Sequence, residues 1–197
     1  MFEKLALIGI GLIGSSIARA TRLKGLAKTI AISTRRQETL DEARALGLGD
    51  IYTMDPVEAV RHADLVILCI PVQSYAAVME KIGPYLEPGA ILSDVGSVKE
   101  YVTKAMAPHI PKGVHLIPGH PIAGTEHSGP AAGFPELFIN RWCVLTPRGD
   151  VDPGAVSKLS AFWSALGSNV ELMEPAHHDM VLAITSHVPH LIAYNIV

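Results

Sequence analysis

The sequence predicts an α/β protein with a doubly wound, mostly parallel sheet. Short apolar runs, long enough for buried strands and too short for helices, alternate with helix-forming segments along most of the 197 residues. The first run, residues 5–8, leads directly into glycines at the spacing G-x-G-x-x-G and then into helix-compatible residues. That order is the context of a dinucleotide-binding turn, so we expect a Rossmann-like domain over residues 1–173.

Each glycine of this turn has a physical role. Gly9 permits the tight turn out of the strand, Gly11 lets the backbone approach a pyrophosphate, and Gly14 lets the helix pack closely on the strand. The N–H groups and the positive end of the helix dipole would hold the phosphates. The predicted phosphate-binding residues are Gly9, Gly11, Leu12, Ile13 and Gly14. The open alternative is a glycine-rich turn in some other α/β protein. A secretory signal is excluded, because glycines interrupt the apolar run and no small-residue cleavage site ends it.

The composition excludes several classes of partner. The net charge is −3 and 49% of the residues are hydrophobic, so no basic field would attract nucleic acid or an anionic membrane. No apolar run approaches the roughly 18 residues needed to span a bilayer. Cys69 and Cys143 lie apart, without a metal-binding or redox spacing. We expect a cytoplasmic protein with a small-molecule partner, and no nucleic acid, membrane or metal.

The end of the second strand bears on the choice of nucleotide. This strand is predicted to end at Ser33, and Thr34, Arg35 and Arg36 follow where a dinucleotide fold often carries an acidic residue. Hydroxyl and guanidinium groups suit a 2′-phosphate, since arginine can bind it in a bidentate manner. We therefore expect NADP ahead of NAD, with Ser33, Thr34 and Arg35 among its contacts. The alternative is that the arginines simply begin a solvated helix.

In the rest of the chain, predicted strands and helices alternate with the spacing of βαβ units. Strands are predicted at residues 29–33, 64–70, 90–93, 114–117, 141–146 and 169–172, and helices at 36–46, 56–62, 75–85, 97–107, 153–166 and 176–197. The run over residues 64–70 is the most strand-like of the chain, and proline ends it. The loop over residues 71–74 would lie over the cofactor at the carboxyl edge of the sheet, and Ile70 and Pro71 are assigned as cofactor contacts.

Three later segments carry polar side chains that could take part in binding or catalysis. Ser97, with Glu100 three residues later, makes a capping box for the next helix, and it also falls at a strand's carboxyl end, where such sheets bind ligands. The loop over residues 118–129 combines histidines, a carboxylate and hydroxyls. This composition indicates a functional role beyond connecting two elements. The final helix carries two histidines three residues apart on one face, and a proline between them should bend it.

Four segments together resemble the prephenate/arogenate dehydrogenase family of tyrosine biosynthesis, the cyclohexadienyl dehydrogenases. They are GIGLIGS at residues 9–15, DVGSVK at 94–99, GHPIAGTE at 119–126 and SHVPH at 186–190. Many dehydrogenases share the first segment, whereas the third and fourth are specific. The resemblance covers essentially the whole chain.

The resemblance implies an NAD(P)-dependent oxidative decarboxylation of prephenate or L-arogenate to 4-hydroxyphenylpyruvate or tyrosine. By similarity, His120 accepts the proton of the substrate hydroxyl, and Ser97 hydrogen-bonds to His120 and to that hydroxyl. The residues that would line the substrate pocket are Thr125, Glu126, His187 and His190. The resemblance further implies a homodimer formed through an all-helical C-terminal dimerisation domain, of which residues 174–197 would be the first helix.

Three other interpretations use the same features differently. The cluster of His177, His178 and Asp179 near the last two histidines could suggest a metal hydrolase, but no recognised metal-ligand spacing is present. A non-catalytic NADP-binding domain would keep the glycine turn and would not need His120 or Ser97. Another Rossmann oxidoreductase, acting on β-hydroxy acids, would be expected to use a catalytic lysine in place of the histidine loop.

The end of the chain is expected to need a partner. Residues 191–197 are apolar nearly all round and show no helix-ending signal. Neither residues 119–129 nor residues 175–197 contain an arginine or lysine to meet the substrate carboxylates. The sequence therefore favours a missing helical partner, a second subunit, or both.

Overall fold

Six parallel strands form the main sheet of the computed structural model, which describes residues 1–187. The strands are β1 (Phe2–Ile8), β2 (Ala27–Ser33), β3 (Ile51–Thr53), β4 (Leu65–Leu68), β5 (Ile91–Asp94) and β6 (His115–Leu116). Their order is β3-β2-β1-β4-β5-β6, so the winding reverses between β1 and β4. This order is that of a dinucleotide-binding Rossmann sheet, and the predicted fold class is confirmed.

Helices cover both faces of this sheet. They are α1 (Leu12–Leu23), α2 (Gln37–Ala45), α3 (Pro56–Val60), α4 (Tyr75–Ile82), α5 (Lys99–Met106), α6 (Pro153–Leu166) and α7 (Pro175–Leu182). Successive residues of a strand point to opposite faces. Leu5 and Leu7 accordingly join a core with α1, α2 and α6, whereas Ala6 and Ile8 join a core with α3, α4 and α5. The near-continuous apolar runs of the central strands follow from this burial on both sides.

A second sheet of three strands follows the main one. It comprises β7 (Gly119–Pro121), β8 (Trp142–Leu145) and β9 (Asn169–Leu172), with β7 antiparallel and β9 parallel to β8. The sequence predicts a loop over residues 118–129, and this prediction is wrong for residues 119–121, which form β7. Glycine and proline are poor strand residues, and only pairing with β8, which lies more than 20 residues away, makes this segment extended.

One further strand and the extent of the last helix differ from the sequence-based expectations. The strand β3 was missed, because three residues at the edge of a sheet carry too little periodicity to be recognised. The last helix is α-helical from Pro175 to Leu182 and continues as a π-helical segment over Ala183–His187. The bend expected at Pro189 lies outside the described residues. No helix in the described part of the chain is both long and apolar enough to cross a membrane.

Candidate functional site

The glycine turn lies at the point where the winding of the sheet reverses. Gly9 has a φ of +99°, and a Cβ there would overlap the carbonyl oxygen of Cys69 at the end of β4. A Cβ at Gly14 would lie 2.5 Å from the Gly9 carbonyl oxygen. The tight turn at Gly9 and the close packing at Gly14 are therefore as predicted, and both positions require glycine.

Open space over Gly11 fits a nucleotide phosphate. A Cβ at Gly11 would have no heavy atom within 4 Å, so the backbone there is accessible. Gly11 is the N-cap of α1, a helix of 12 residues whose first turn, with Leu12 and Ile13, contains no acidic side chain. An uncrowded N-terminus with a favourable dipole is a phosphate-binding arrangement.

The loop after β4 lies beside this turn. The Cys69 N–H donates to the Ile8 carbonyl oxygen at 2.7 Å, and a Cβ at Gly9 would lie 2.8 Å from Cγ2 of Ile70. Pro71, which follows, is exposed. The structure thus brings Ile70 next to the glycine turn, at the carboxyl edge where such sheets bind their ligands.

The end of β2 presents hydroxyl and guanidinium groups. Ser33 is buried, Thr34 is half-buried, and Arg35 and Arg36 are exposed. The Gly9 N–H donates to the Ser33 carbonyl oxygen at 2.8 Å, so this segment adjoins the glycine turn. The positions fit the adenosine end of a dinucleotide, and no acidic side chain stands among them.

A buried ion pair supports the next part of the site. The Lys99 ammonium donates to both carboxylate oxygens of Asp94, at 2.8 and 2.7 Å, and to the Gly119 carbonyl oxygen at 2.6 Å. Asp94 also accepts from the N–H of Gly96 at 2.7 Å, from the N–H of Gly119 at 3.0 Å and from the Tyr75 hydroxyl at 3.2 Å. The side chains of Asp94 and Lys99 have no exposed surface. This network joins the carboxyl end of β5 to β7 and thereby fixes the strand that carries His120.

Burial lowers the pKa of Lys99, and the adjacent Asp94 carboxylate partly offsets that effect. Burial likewise raises the pKa of Tyr75, with a further rise from Asp94. Tyr75 therefore stays a neutral hydrogen-bond donor. The three N–H groups of the Lys99 ammonium each have an acceptor, so this lysine is structural.

A chain of three side chains starts at His120. Its Nδ1 lies 2.9 Å from Nε2 of His178, and Nδ1 of His178 lies 2.7 Å from Oδ1 of Asp179. His178 is fully buried, and the two imidazole rings meet edge to face with centroids 5.1 Å apart. The two residues are 58 positions apart in the chain, and this side-chain contact joins α7 to β7.

The Asp179 carboxylate ends this chain at the N-terminus of α5. It accepts the backbone N–H of Lys99 at 2.7 Å and that of Glu100 at 3.0 Å. Partial burial alone would raise the pKa of Asp179, but these two N–H groups and His178 hold it below its usual value. Burial lowers the pKa of His178, and the hydrogen bond to Asp179 opposes that shift.

The expectation that Ser97 begins a capping box is wrong. The N-cap of α5 is Val98, not Ser97, and the helix has no capping box. A carboxylate accepts two amides where a serine hydroxyl accepts one, which explains why Asp179 takes this place. The expected hydrogen bond between Ser97 and His120 stays a prediction, and His120 pairs with His178. Ser97 is exposed in the loop after β5.

Of the other expected substrate residues, the structure describes the side chains of Thr125 and Glu126. Thr125 and Glu126 are exposed in the loop after β7. The Thr125 hydroxyl accepts the N–H of His127 at 3.2 Å, and Glu126 lies 3.7 Å from the His127 ring. The backbone of His187 ends the described helix, and His190 lies outside the described residues. Within residues 1–187, no group of three or more His, Cys, Asp or Glu side chains is arranged to hold a metal ion.

Sequence reasoning missed the pairing of His178 with His120. In the sequence, His178 and Asp179 suggest only a metal site. The available signal was an ionisable pair near the start of a helix, and nothing local linked it to a strand 58 residues earlier.

Comparison with known proteins identifies the family of this chain. The family model described as the nucleotide-binding domain of prephenate dehydrogenase matches residues 17–172. Cyclohexadienyl dehydrogenase of Zymomonas mobilis is 43% identical over 197 residues, which are 100% of this chain and 67% of that protein. Prephenate dehydrogenase of Bacillus subtilis is 32% identical over 198 aligned residues, covering 100% of this chain and 53% of that protein. The chain thus spans between about half and two thirds of these relatives.

A solved structure shows the same fold. Prephenate dehydrogenase from Aquifex aeolicus, in complex with hydroxyphenyl propionate and NAD+, superposes with a TM-score of 0.92 at 29% identity. The match covers 100% of this chain and 68% of that one. The family model spans most of this sequence, and the Zymomonas mobilis relative aligns with all of it. The chain therefore belongs to the prephenate dehydrogenase family of oxidoreductases.

Proposed function

We propose that the protein, with NADP or NAD, removes a hydride and carbon dioxide from prephenate, L-arogenate or both. The products are 4-hydroxyphenylpyruvate or tyrosine. The observation that carries the proposal is His120, a half-buried histidine paired with a second, buried histidine next to the carboxyl end of β5. Membership of a family named for this dehydrogenation supports the substrate class.

The role of the chain in this reaction is to hold the substrate and move one proton. A bound nicotinamide cofactor would supply the acceptor for the hydride that leaves C4 of the substrate. The hydroxyl on that carbon then loses its proton, and His120 takes it, since a neutral imidazole is the side chain best suited to this near pH 7. After carbon dioxide leaves from C1, the new phenolate oxygen can recover the same proton. Aromatisation supplies the driving force, so positioning is the main task of the protein.

The nucleotide would be held by the glycine turn and the end of β2. The residues assigned to it are Gly9, Gly11, Leu12, Ile13, Gly14, Ser33, Thr34, Arg35, Ile70 and Pro71. We assign NADP as the preferred form, because hydroxyls and exposed guanidinium groups stand where an acidic residue would repel a 2′-phosphate.

The substrate would lie against the loops after β5 and β7. Ser97 follows Gly96, whose N–H is bonded to Asp94, so its loop is tied to the same network as His120. The further residues proposed to line the pocket are Thr125, Glu126, His187 and His190. The proposal includes a homodimer formed through the C-terminal helical region, which light scattering on the full-length protein would measure.

Two alternative functions make different demands on the site. A dehydrogenase that relied on a lysine would need an accessible amine, but Lys99 is fully buried and its three N–H groups are engaged. A non-catalytic nucleotide-binding domain would have no use for a buried histidine that orients another histidine. Both alternatives are therefore disfavoured relative to a histidine-dependent dehydrogenase.

Absorbance at 340 nm tests the proposal directly. The full-length protein is mixed with prephenate or arogenate and with NAD or NADP, and reduced nucleotide should appear with at least one pair. The variant His120→Asn should lower kcat by about 10²–10⁴-fold and leave nucleotide affinity nearly unchanged. The control is His177→Asn, on an exposed side chain of α7, which should turn over normally.

Near-normal turnover in His120→Asn would contradict the role of His120. A thermal shift with nucleotide but no turnover would indicate a binding domain.

A further inference from the structure

We propose that His178 and Asp179 are positioning residues that keep the single ring proton of His120 on Nδ1 and so leave Nε2 as its basic nitrogen. This inference rests on the proposed function, because it says how that function's proton acceptor is prepared. The two residues act through His120 and do not themselves need to touch the substrate.

The contacts form one continuous line of hydrogen bonds. Asp179 Oδ1 lies 2.7 Å from His178 Nδ1, and His178 Nε2 lies 2.9 Å from His120 Nδ1. His178 has no exposed surface, so water cannot replace either partner. Each ring nitrogen of His178 therefore has an assigned protein partner.

The direction of each hydrogen bond follows from the charge of Asp179. With its pKa held low, Asp179 is a carboxylate and can only accept, so Nδ1 of His178 donates. Burial keeps His178 neutral near pH 7, and its Nε2 therefore carries no proton and accepts. The proton between the two rings must then belong to Nδ1 of His120. A neutral imidazole has one N–H, so Nε2 is the nitrogen that can take a proton.

The Asp179 carboxylate, at the end of this line of hydrogen bonds, is held in place by the backbone. The N–H groups of Lys99 and Glu100 bind its two oxygens, so Asp179 cannot rotate without breaking both hydrogen bonds. The other charges that act on His178 are Lys99, which lowers its pKa, and Asp94, which raises it. These two are bonded to each other at 2.7 Å, so their effects largely cancel. Asp179 is left as the charge that sets the orientation.

Once His120 takes a proton from the substrate, the same line stabilises the resulting cation. Its Nδ1–H keeps its acceptor on His178, and the negative charge of Asp179 is one residue further along. A partner that orients a functional histidine commonly contributes about 10–100-fold, less than the histidine itself. We expect an effect of that size from the loss of His178.

The test compares two substitutions of His178 in the full-length protein. In His178→Gln, the side-chain oxygen can reach the place of Nε2 and accept the His120 proton. In His178→Leu, the volume is roughly kept and the acceptor is lost. The matched control is His177→Leu, which changes the neighbouring exposed histidine of the same helix. Thermal melts identify any variant that fails to fold. If His178→Leu does not fold, His178→Gln still tests the proposal, because it keeps a polar side chain at this buried position.

Nitrogen-15 NMR of labelled histidines reports the tautomer without relying on turnover. The His120 signal is identified by its disappearance in His120→Asn. It should show Nδ1–H in the wild type, in His178→Gln and in His177→Leu, and should gain Nε2–H character in His178→Leu. A wild-type His120 with its proton on Nε2, or an unchanged tautomer in His178→Leu, would overturn the proposal.

Kinetics supply the second measurement. His178→Leu should lower kcat by about 10–100-fold, with a much smaller change in KM. The acid limb of its pH profile should move to lower pH, since protonated His120 loses its acceptor. His178→Gln should recover part of kcat. Equal losses in His177→Leu would overturn the positioning role. Absence of turnover in the wild type, with the Nδ1–H tautomer in place, would count against the proposed function and in favour of the positioning.

Discussion

Replacing Lys99 with methionine tests the buried ion pair that supports the strand of His120. Methionine has nearly the length of lysine without the ammonium group, so packing changes little. The backbone N–H of residue 99 stays available to Asp179, which keeps the start of α5 intact. The substitution therefore removes one buried charge and three hydrogen bonds.

The expected cost follows from what remains around Asp94. Removing one partner of a buried ion pair typically destabilises a protein by about 3–5 kcal/mol, because the other charge stays buried without its counter-ion. Asp94 would keep three donors, the N–H groups of Gly96 and Gly119 and the hydroxyl of Tyr75. We therefore expect the lower part of that range, about 3 kcal/mol. For a chain of 197 residues this corresponds to a fall in Tm of about 6–12 °C.

Urea unfolding with linear extrapolation measures the free energy of unfolding, and calorimetry measures Tm. The control is Lys104→Met, which removes an exposed lysine from the same helix and should change stability by less than about 0.5 kcal/mol. If Lys99→Met lost less than about 1 kcal/mol, the ion pair would not be the support that we assign to it.

Three further predictions concern the nucleotide, the glycine turn and pH. Arg35→Ala should weaken NADP binding by about tenfold or more and leave the Kd for NAD nearly unchanged, since a charged hydrogen bond to the 2′-phosphate is lost; equal weakening of both nucleotides would refute the assignment. Gly9→Ala should cost about 2–5 kcal/mol in urea unfolding, because its Cβ would overlap a backbone carbonyl oxygen at a φ of +99°. Gly25→Ala, at a φ of +61° with open space around it, should cost only about 1 kcal/mol, and similar losses at both positions would contradict the steric argument. His178 has a folded-state pKa below the usual 6.5, so its contribution to stability is complete above about pH 6.5 and is lost as the pH falls through the folded-state pKa. The free energy of unfolding should accordingly fall less steeply on acidification in His178→Gln than in the wild type, and parallel curves would show that His178 is not the titrating group.

Local chemistry determined much of this fold. The helix α6 occupies the residues predicted for it, because each of its signals acts within a few residues. Asp152 caps its start by accepting the N–H of Ala155 at 3.2 Å, Pro153 occupies the first turn, and Gly167 ends it at a φ of +107°. The glycine turn after β1 is equally local, since Gly9 must adopt a conformation that other residues avoid.

The site depends on contacts that no local pattern contains. Ser97 and Glu100 form a good capping signal, yet Asp179, about 80 residues away, provides the acceptor for the start of α5. A charged carboxylate brought in by packing outcompetes a neutral hydroxyl nearby. The partner of His120 was decided in the same way, because a strand and a helix 58 residues apart meet only when β7 pairs with β8 and α7 packs on α5. The sequence by itself determined which residues can act as acids, bases and turns, whereas the tertiary structure decided which of them share a hydrogen bond.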